Sequence, residues 1–267
     1  MGARRRGDGV VMTTEWNDID ARHWEGGPLD CFSCEHAALR AQGGCEPGRL
    51  CMQDAYARRI DRFFRTHPAL ANEHLGHAYF EVRAIAARYA DVFRLPALMN
   101  DPDETVRLQV VLRLPQRQLM RMRDDPHREV RIRVAQCLAV DQLASMLRDE
   151  DYHVRATVAR RLPEALLPLL TADPDLMVRR EVARRVRMPA LWRMARDPEA
   201  EVRRILAQRL PAALLEVFVG DADLLVRWEA AARAEGTLLA RFADDPEAEI
   251  RERARARLDT LPKAEHG

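Results

Sequence analysis

The stretch Asp149-Glu150-Asp151-Tyr152-His153-Val154-Arg155-Ala156-Thr157-Val158-Ala159-Arg160-Arg161-Leu162-Pro163-Glu164-Ala165-Leu166-Leu167-Pro168-Leu169-Leu170-Thr171-Ala172 decides the fold, because its pattern returns every twenty-four residues. Its Val-Arg pair recurs at Val82-Arg83, Val106-Arg107, Val130-Arg131, Val178-Arg179, Val202-Arg203 and Val226-Arg227, and ends as Ile250-Arg251. Six residues before the Arg stands Asp101, Asp125, Asp149, Asp173, Asp197, Asp221 or Asp245, usually followed by proline; the first repeat has His77 instead. An unbroken period of this length means stacked supersecondary units.

Each column of the unit has a physical role. Asp followed by Pro reads as a helix N-cap with a first-turn proline, so a helix is expected to begin there. Apolar residues at spacing four, such as Val154, Val158 and Leu162, give one buried stripe. Beside it, Ala135, Ala159, Ala183, Ala207 and Ala231 permit close helix approach. Proline at Pro115, Pro163 and Pro211 stops the first helix. A leucine column, Leu95, Leu119, Leu143, Leu167, Leu191, Leu215 and Leu239, follows, with Leu98, Met122, Met146, Leu170, Met194, Phe218 or Phe242 three residues on. That spacing suits a short α or 3₁₀ helix. No segment alternates with period two, so no sheet is expected.

One unit cannot bury its own apolar face, but eight in line make a continuous core. The expected fold is an all-α solenoid over residues 77–262, behind an N-terminal module at 1–76 and before a tail at 263–267. After Leu258 the pattern lapses, with Asp259 and Lys263 where proline and leucine are expected, as suits a solvated end.

These columns resemble the leucine-rich repeat variant proteins, whose unit reads Asp-Pro, Val-Arg, Val-Ala, Arg-Leu-Pro, Leu-Leu. The resemblance implies alternating α and 3₁₀ helices coiled into a right-handed superhelix. Ala139, Arg187 and Glu235 depart from it by replacing the proline.

Composition agrees with a core-forming protein: of 267 residues, 47% are hydrophobic and 32% charged. The 43 Lys plus Arg, all arginine except Lys263, are nearly cancelled by 42 Asp plus Glu, leaving a net charge of +1. The chain therefore lacks the excess cation that drives non-specific nucleic-acid binding. The arginine column is read as a structural ladder bridging to the parallel aspartates, with nucleic acid or an acidic protein as the alternatives. A second row, Arg113, Arg161, Arg185, Arg209, Arg233 and Arg257, is expected to be solvated surface. Arg4-Arg5-Arg6 leads into no apolar run fit for a signal peptide, and no run is long enough to span a bilayer, so a cytoplasmic location is expected.

Four of the five cysteines stand at Cys31-x₂-Cys34-x₁₀-Cys45-x₅-Cys51. A reducing compartment argues against disulfides. The first pair fits a zinc knuckle, but the second spacing exceeds what zinc favours, whereas iron–sulfur clusters tolerate wider spacing. Spacing thus prefers an iron–sulfur cluster and keeps zinc open. The family resemblance implies an N-terminal [4Fe–4S] module, with Cys31, Cys34, Cys45 and Cys51 as its ligands. Glycines and prolines around Cys45 are placed to turn backbone N–H groups toward sulfur. Trp24, Phe32 and Leu50 are candidate shields for the cluster, and Arg40 and Arg49 candidates to offset its charge.

Cys137 reads as a tolerated free thiol, His36 as an unneeded ligand, and His74-x₂-His77 as a junction pair with no acidic or thiol partner. The amphipathic stretch Ile60-Asp61-Arg62-Phe63-Phe64 is expected to cover the open end of the solenoid.

No catalytic constellation stands out. The expectation is a non-enzymatic scaffold for an unidentified protein partner, its cluster structural, redox-active or redox-sensing. The alternatives are nucleic-acid binding or repair, and electron transfer; a small-molecule substrate and a membrane are not expected.

Overall fold

The computed structural model describes residues 19–260. The tail at 263–267, Lys263 and the basic residues at 4–6 lie outside them. Among the described residues the secondary structure is helical and no strand forms, the β-pairing being confined to isolated bridges at His23–Asp54 and Glu46–Leu50. Two compact units divide between Gln118 and Leu119.

Each repeat opens with an α-helix: Phe80–Tyr89 and Glu104–Val111 in the first unit, then Arg128–Cys137, Tyr152–Arg161, Leu176–Arg185, Ala200–Arg209, Leu224–Arg233 and Ala248–Thr260 in the second. The Val-Arg valines, Ile250, the alanine column and the leucine column are buried, together with the apolar residues three positions after each leucine. Burial at periods three, four and twenty-four is what stacked helices require.

The helices start two residues later than the Asp-Pro pattern predicts. Asp173 is held outside the helix by two demands: its Oδ1 accepts the N–H of Asp175 at 2.9 Å, and its carboxylate also receives the guanidinium of Arg155. Capping passes to the residue two positions on. Asp175 accepts from the N–H of Met177, and Asp103, Asp151 and Asp223 do the same in their repeats. In the first repeat His77 takes over the aspartate's task, its Nδ1 accepting the N–H of Tyr79 at 3.0 Å.

The arginine column is a ladder of forked ion pairs. Arg155 donates from Nε and Nη2 to the two carboxylate oxygens of Asp173 at 2.8 and 2.9 Å, and from Nη1 to the carbonyl of Asp149 at 2.8 Å. The same fork joins Arg83 to Asp101, Arg131 to Asp149, Arg179 to Asp197, Arg203 to Asp221 and Arg227 to Asp245. One side chain thus satisfies its own repeat's turn and grips the next repeat's carboxylate.

The second arginine row is not solvated surface. Arg185 donates to the carbonyls of Ala159 and Leu162 at 2.6 and 2.8 Å. Arg113, Arg161, Arg209, Arg233 and Arg257 reach the corresponding carbonyls of Ala87, Ala135, Ala183, Ala207 and Ala231. These lie at the C-terminal ends of the preceding helices, where carbonyls have no intrahelical partner and cations are favoured.

The short second segments are 3₁₀ at Val92–Leu98, Val140–Met146, Glu164–Leu170 and Ala212–Phe218. They are α-helical at Ala190–Arg193 and Gly236–Phe242, the repeats where Arg187 and Glu235 replace proline, and mixed over 116–122. Ala139 keeps the bend without a proline ring: its φ of −61° and ψ of 145° match the −56° and 140° of Pro163. The last helix runs on through Asp259 to Thr260.

The N-terminal module folds around the helix Ala57–Thr66, which buries Ile60, Phe63 and Phe64. Arg59, 2% exposed, pairs with the fully buried Asp54 at 3.1 Å and donates to the carbonyls of Ile19 and Asp20. That helix packs against Phe80–Tyr89 of the first repeat, as expected of a cover for the repeat's apolar face. Trp24 stacks on Tyr79 with ring centroids 5.3 Å apart.

Candidate metal centre

All four cysteines of the N-terminal run are free thiols in loops around the five-residue helix Ala37–Ala41 and the start of Ala57–Thr66. Gly43 and Gly48, with φ of +75° and +79°, turn the chain on either side of Cys45. At these angles a residue with a Cβ is strained.

The thiols share one electrostatic neighbourhood. Burial raises the Cys45 pKa, the charges of Cys34 and Cys31 raise it further, and Arg40 opposes them. Burial pushes Cys51 up to about 11; the N–H of Gln53 on its sulfur opposes this, while Asp54, Cys34 and Cys45 add to it. Without a cation the Cys45 and Cys51 thiols stay protonated at neutral pH, and a metal must displace their protons to bind. The backbone N–H of His36 donates to Cys34 Sγ at 3.4 Å. The donors to thiol sulfur that the structure shows follow Cys34 and Cys51 by two residues.

Of the proposed shields, Phe32 is 96% exposed. Trp24 is spent on Tyr79, His77 and Gln53. Leu50 is half-buried. Arg40 lies close enough to act on Cys45, whereas Arg49 pairs with Glu46 at the surface.

The histidines depart most from expectation. His74 does have acidic company: its Nε2 lies 3.2 Å from His36 Nε2, and Glu35 joins the pair, with one donor atom from each residue within 4.8 Å of the others. Burial lowers the pKa of both rings, keeping them neutral, the state that ligates metal. Thirty-seven residues separate His36 from His74, so local spacing carried no sign of the pair.

A family model described as "LRV protein FeS4 cluster" matches residues 21–73, and one described as "Leucine rich repeat variant" matches residues 80–103 and 152–175. A solved structure titled "A leucine-rich repeat variant with a novel repetitive protein structural motif" is 42% identical, covering 86% of this chain and 98% of its own, with a TM-score of 0.81. The chain belongs to the leucine-rich repeat variant family. An "Uncharacterized 27.7 kDa protein in nifB 3′ region" of Rhodobacter capsulatus is 52% identical over 92 residues, which is 34% of this chain and 38% of that protein's length. In this leucine-rich repeat variant protein the iron–sulfur family match covers the whole thiol run and stops just short of His74. Among the described residues no helix is long and apolar enough to cross a membrane.

Proposed function

We propose that the chain is a non-enzymatic scaffold that binds a protein partner along its repeats and carries a [4Fe–4S] cluster on Cys31, Cys34, Cys45 and Cys51, with a structural or redox-sensing role. The observation that carries the reading is the thiol set itself, four free sulfurs that feel one another's charge inside a module matching an iron–sulfur family. Among the described residues the thiols provide no trio of sulfurs within 4.8 Å of one another. Four thiolates on one zinc ion at about 2.3 Å would lie closer together than that. A cubane, with an iron atom for each thiolate, holds its sulfurs farther apart.

Support for a scaffold comes from what the repeats do with their charges. The ladder guanidiniums are taken up by carboxylates and carbonyls, which makes them poor ligands for a phosphate backbone. Large apolar side chains meanwhile stand exposed, Phe93 at 88% in the first unit and Leu169 at 67% in the second. An exposed aromatic ring such as Phe93 is of a residue type enriched in protein interfaces. A cytoplasmic setting, where thiols stay reduced, belongs to the same reading. Electron transfer is the second reading, favoured by the partial exposure of Cys31, Cys34 and Cys45.

The test is anaerobic affinity capture with the intact chain and with its Cys34→Ser variant, beside DNA titrations at several salt concentrations. A protein retained in near-stoichiometric amount is the expected result. Tight DNA binding with a steep salt slope and no retained protein would overturn the scaffold.

A further inference from the structure

Four donors outside the thiol set converge beside it. His36 Nε2 faces His74 Nε2 at 3.2 Å, Met52 Sδ at 3.1 Å and Glu35 Oε1 at 4.0 Å. Two imidazoles bound tetrahedrally to one ion at about 2.0–2.1 Å hold their nitrogens roughly 3.3 Å apart, so the His36–His74 separation already suits a shared ion. A hydrogen bond between the rings accounts for one proton between two nitrogens. That proton can be shared with the Met52 thioether, and Glu35 Oε1 also accepts from Gln53 Nε2 at 3.5 Å; what favours an ion is the gathering of two imidazoles, a thioether and a carboxylate at one point, each with a lone pair to give.

We propose that Glu35, His36 and His74 form a mononuclear site for a zinc-class transition-metal ion, distinct from the thiols, with Met52 Sδ as a fourth, weaker donor. The fold positions each member. His36 immediately precedes the helix Ala37–Ala41, and the 3₁₀ turn Pro68–Asn72 brings the chain back so that His74, 5% exposed, sits against it. Met52 is buried next to Cys51. Glu35 is exposed and lines a cleft of ≈ 430 Å³ that also reaches Cys34, which gives an ion a route in from solvent. Neutral imidazoles with one carboxylate are a donor set zinc accepts, and the thioether adds softness without charge. The site lies one residue from Cys34, so an ion there would stand beside whatever the thiols hold.

The experiment uses the full chain, purified anaerobically with its iron and sulfide, freed of loosely bound metal and titrated with Co²⁺ as an optical probe for Zn²⁺. One cobalt per chain is expected, with visible d–d bands, no thiolate-to-cobalt charge transfer, and displacement by Zn²⁺. Glu35→Gln, at an exposed position, should weaken cobalt binding at least ~10-fold, and His74→Gln should abolish it. Iron and sulfide content should hold in both variants. Thiolate charge transfer in the cobalt spectrum, or undiminished cobalt affinity in both variants, would overturn the site. Loss of iron and sulfide from the wild-type chain would count against the cluster alone, because the cobalt comparison between variants reads the histidine site independently.

Discussion

Single residues carry the repeat's fidelity. Asp173 gives both oxygens to Arg155 and one also to a backbone N–H, with the two side chains only 4% and 11% exposed. Asp173→Ala strands that guanidinium, and the expected loss is about 3 kcal/mol in urea unfolding. Arg185→Met uncaps the carbonyls of Ala159 and Leu162 and should cost about 2 kcal/mol. Arg187→Ala removes only an exposed pair with Glu164 and should stay within ~0.5 kcal/mol. Equal losses from Arg185→Met and Arg187→Ala would contradict the capping role. The ladder also sets acid sensitivity. Burial raises the Asp101 and Asp221 pKa values, but their hydrogen-bonded arginines and the N–H groups two residues on bring them below the ordinary 3.8. A carboxylate depressed in the folded state stabilises above its unfolded pKa, and the contribution disappears as pH falls through the folded value. Circular dichroism at fixed urea should therefore show helix loss setting in below about pH 4, and less steeply in an Asp221→Asn variant.

At the scale of elements, twenty-four-residue periodicity made the helices, their apolar stripe and the leucine column legible, because burial in a stacked array repeats wherever the sequence does. Two details were not legible. Asp-Pro looked like an N-cap because the residue types are right, and only the fork from the preceding repeat's arginine shows why the cap moves on. The second arginine row looked solvated because its partners are backbone carbonyls, which no sequence pattern reveals. The alanine column yields a prediction at this scale. Ala159→Leu overfills a fully buried helix contact and should cost about 2–3 kcal/mol, whereas Ala144→Leu, at an exposed position, should change unfolding by less than ~0.5 kcal/mol. Comparable effects from both would mean that the column does not set helix approach.

For the whole molecule, the division of labour runs along the chain: a cysteine module of the iron–sulfur family at one end, then repeats that use their charges on themselves. The thiol run was legible because it is local, four cysteines in twenty-one residues. The Glu35–His36–His74 cluster was not, because only the fold joins its halves. The most direct measurement is iron, sulfide and zinc analysis of the anaerobically purified full chain, with electron paramagnetic resonance after reduction. About four iron and four sulfide per chain with a reduced-cluster signal, all lost in a Cys45→Ser variant, is the predicted result. Zinc on the thiols with no sulfide would contradict it.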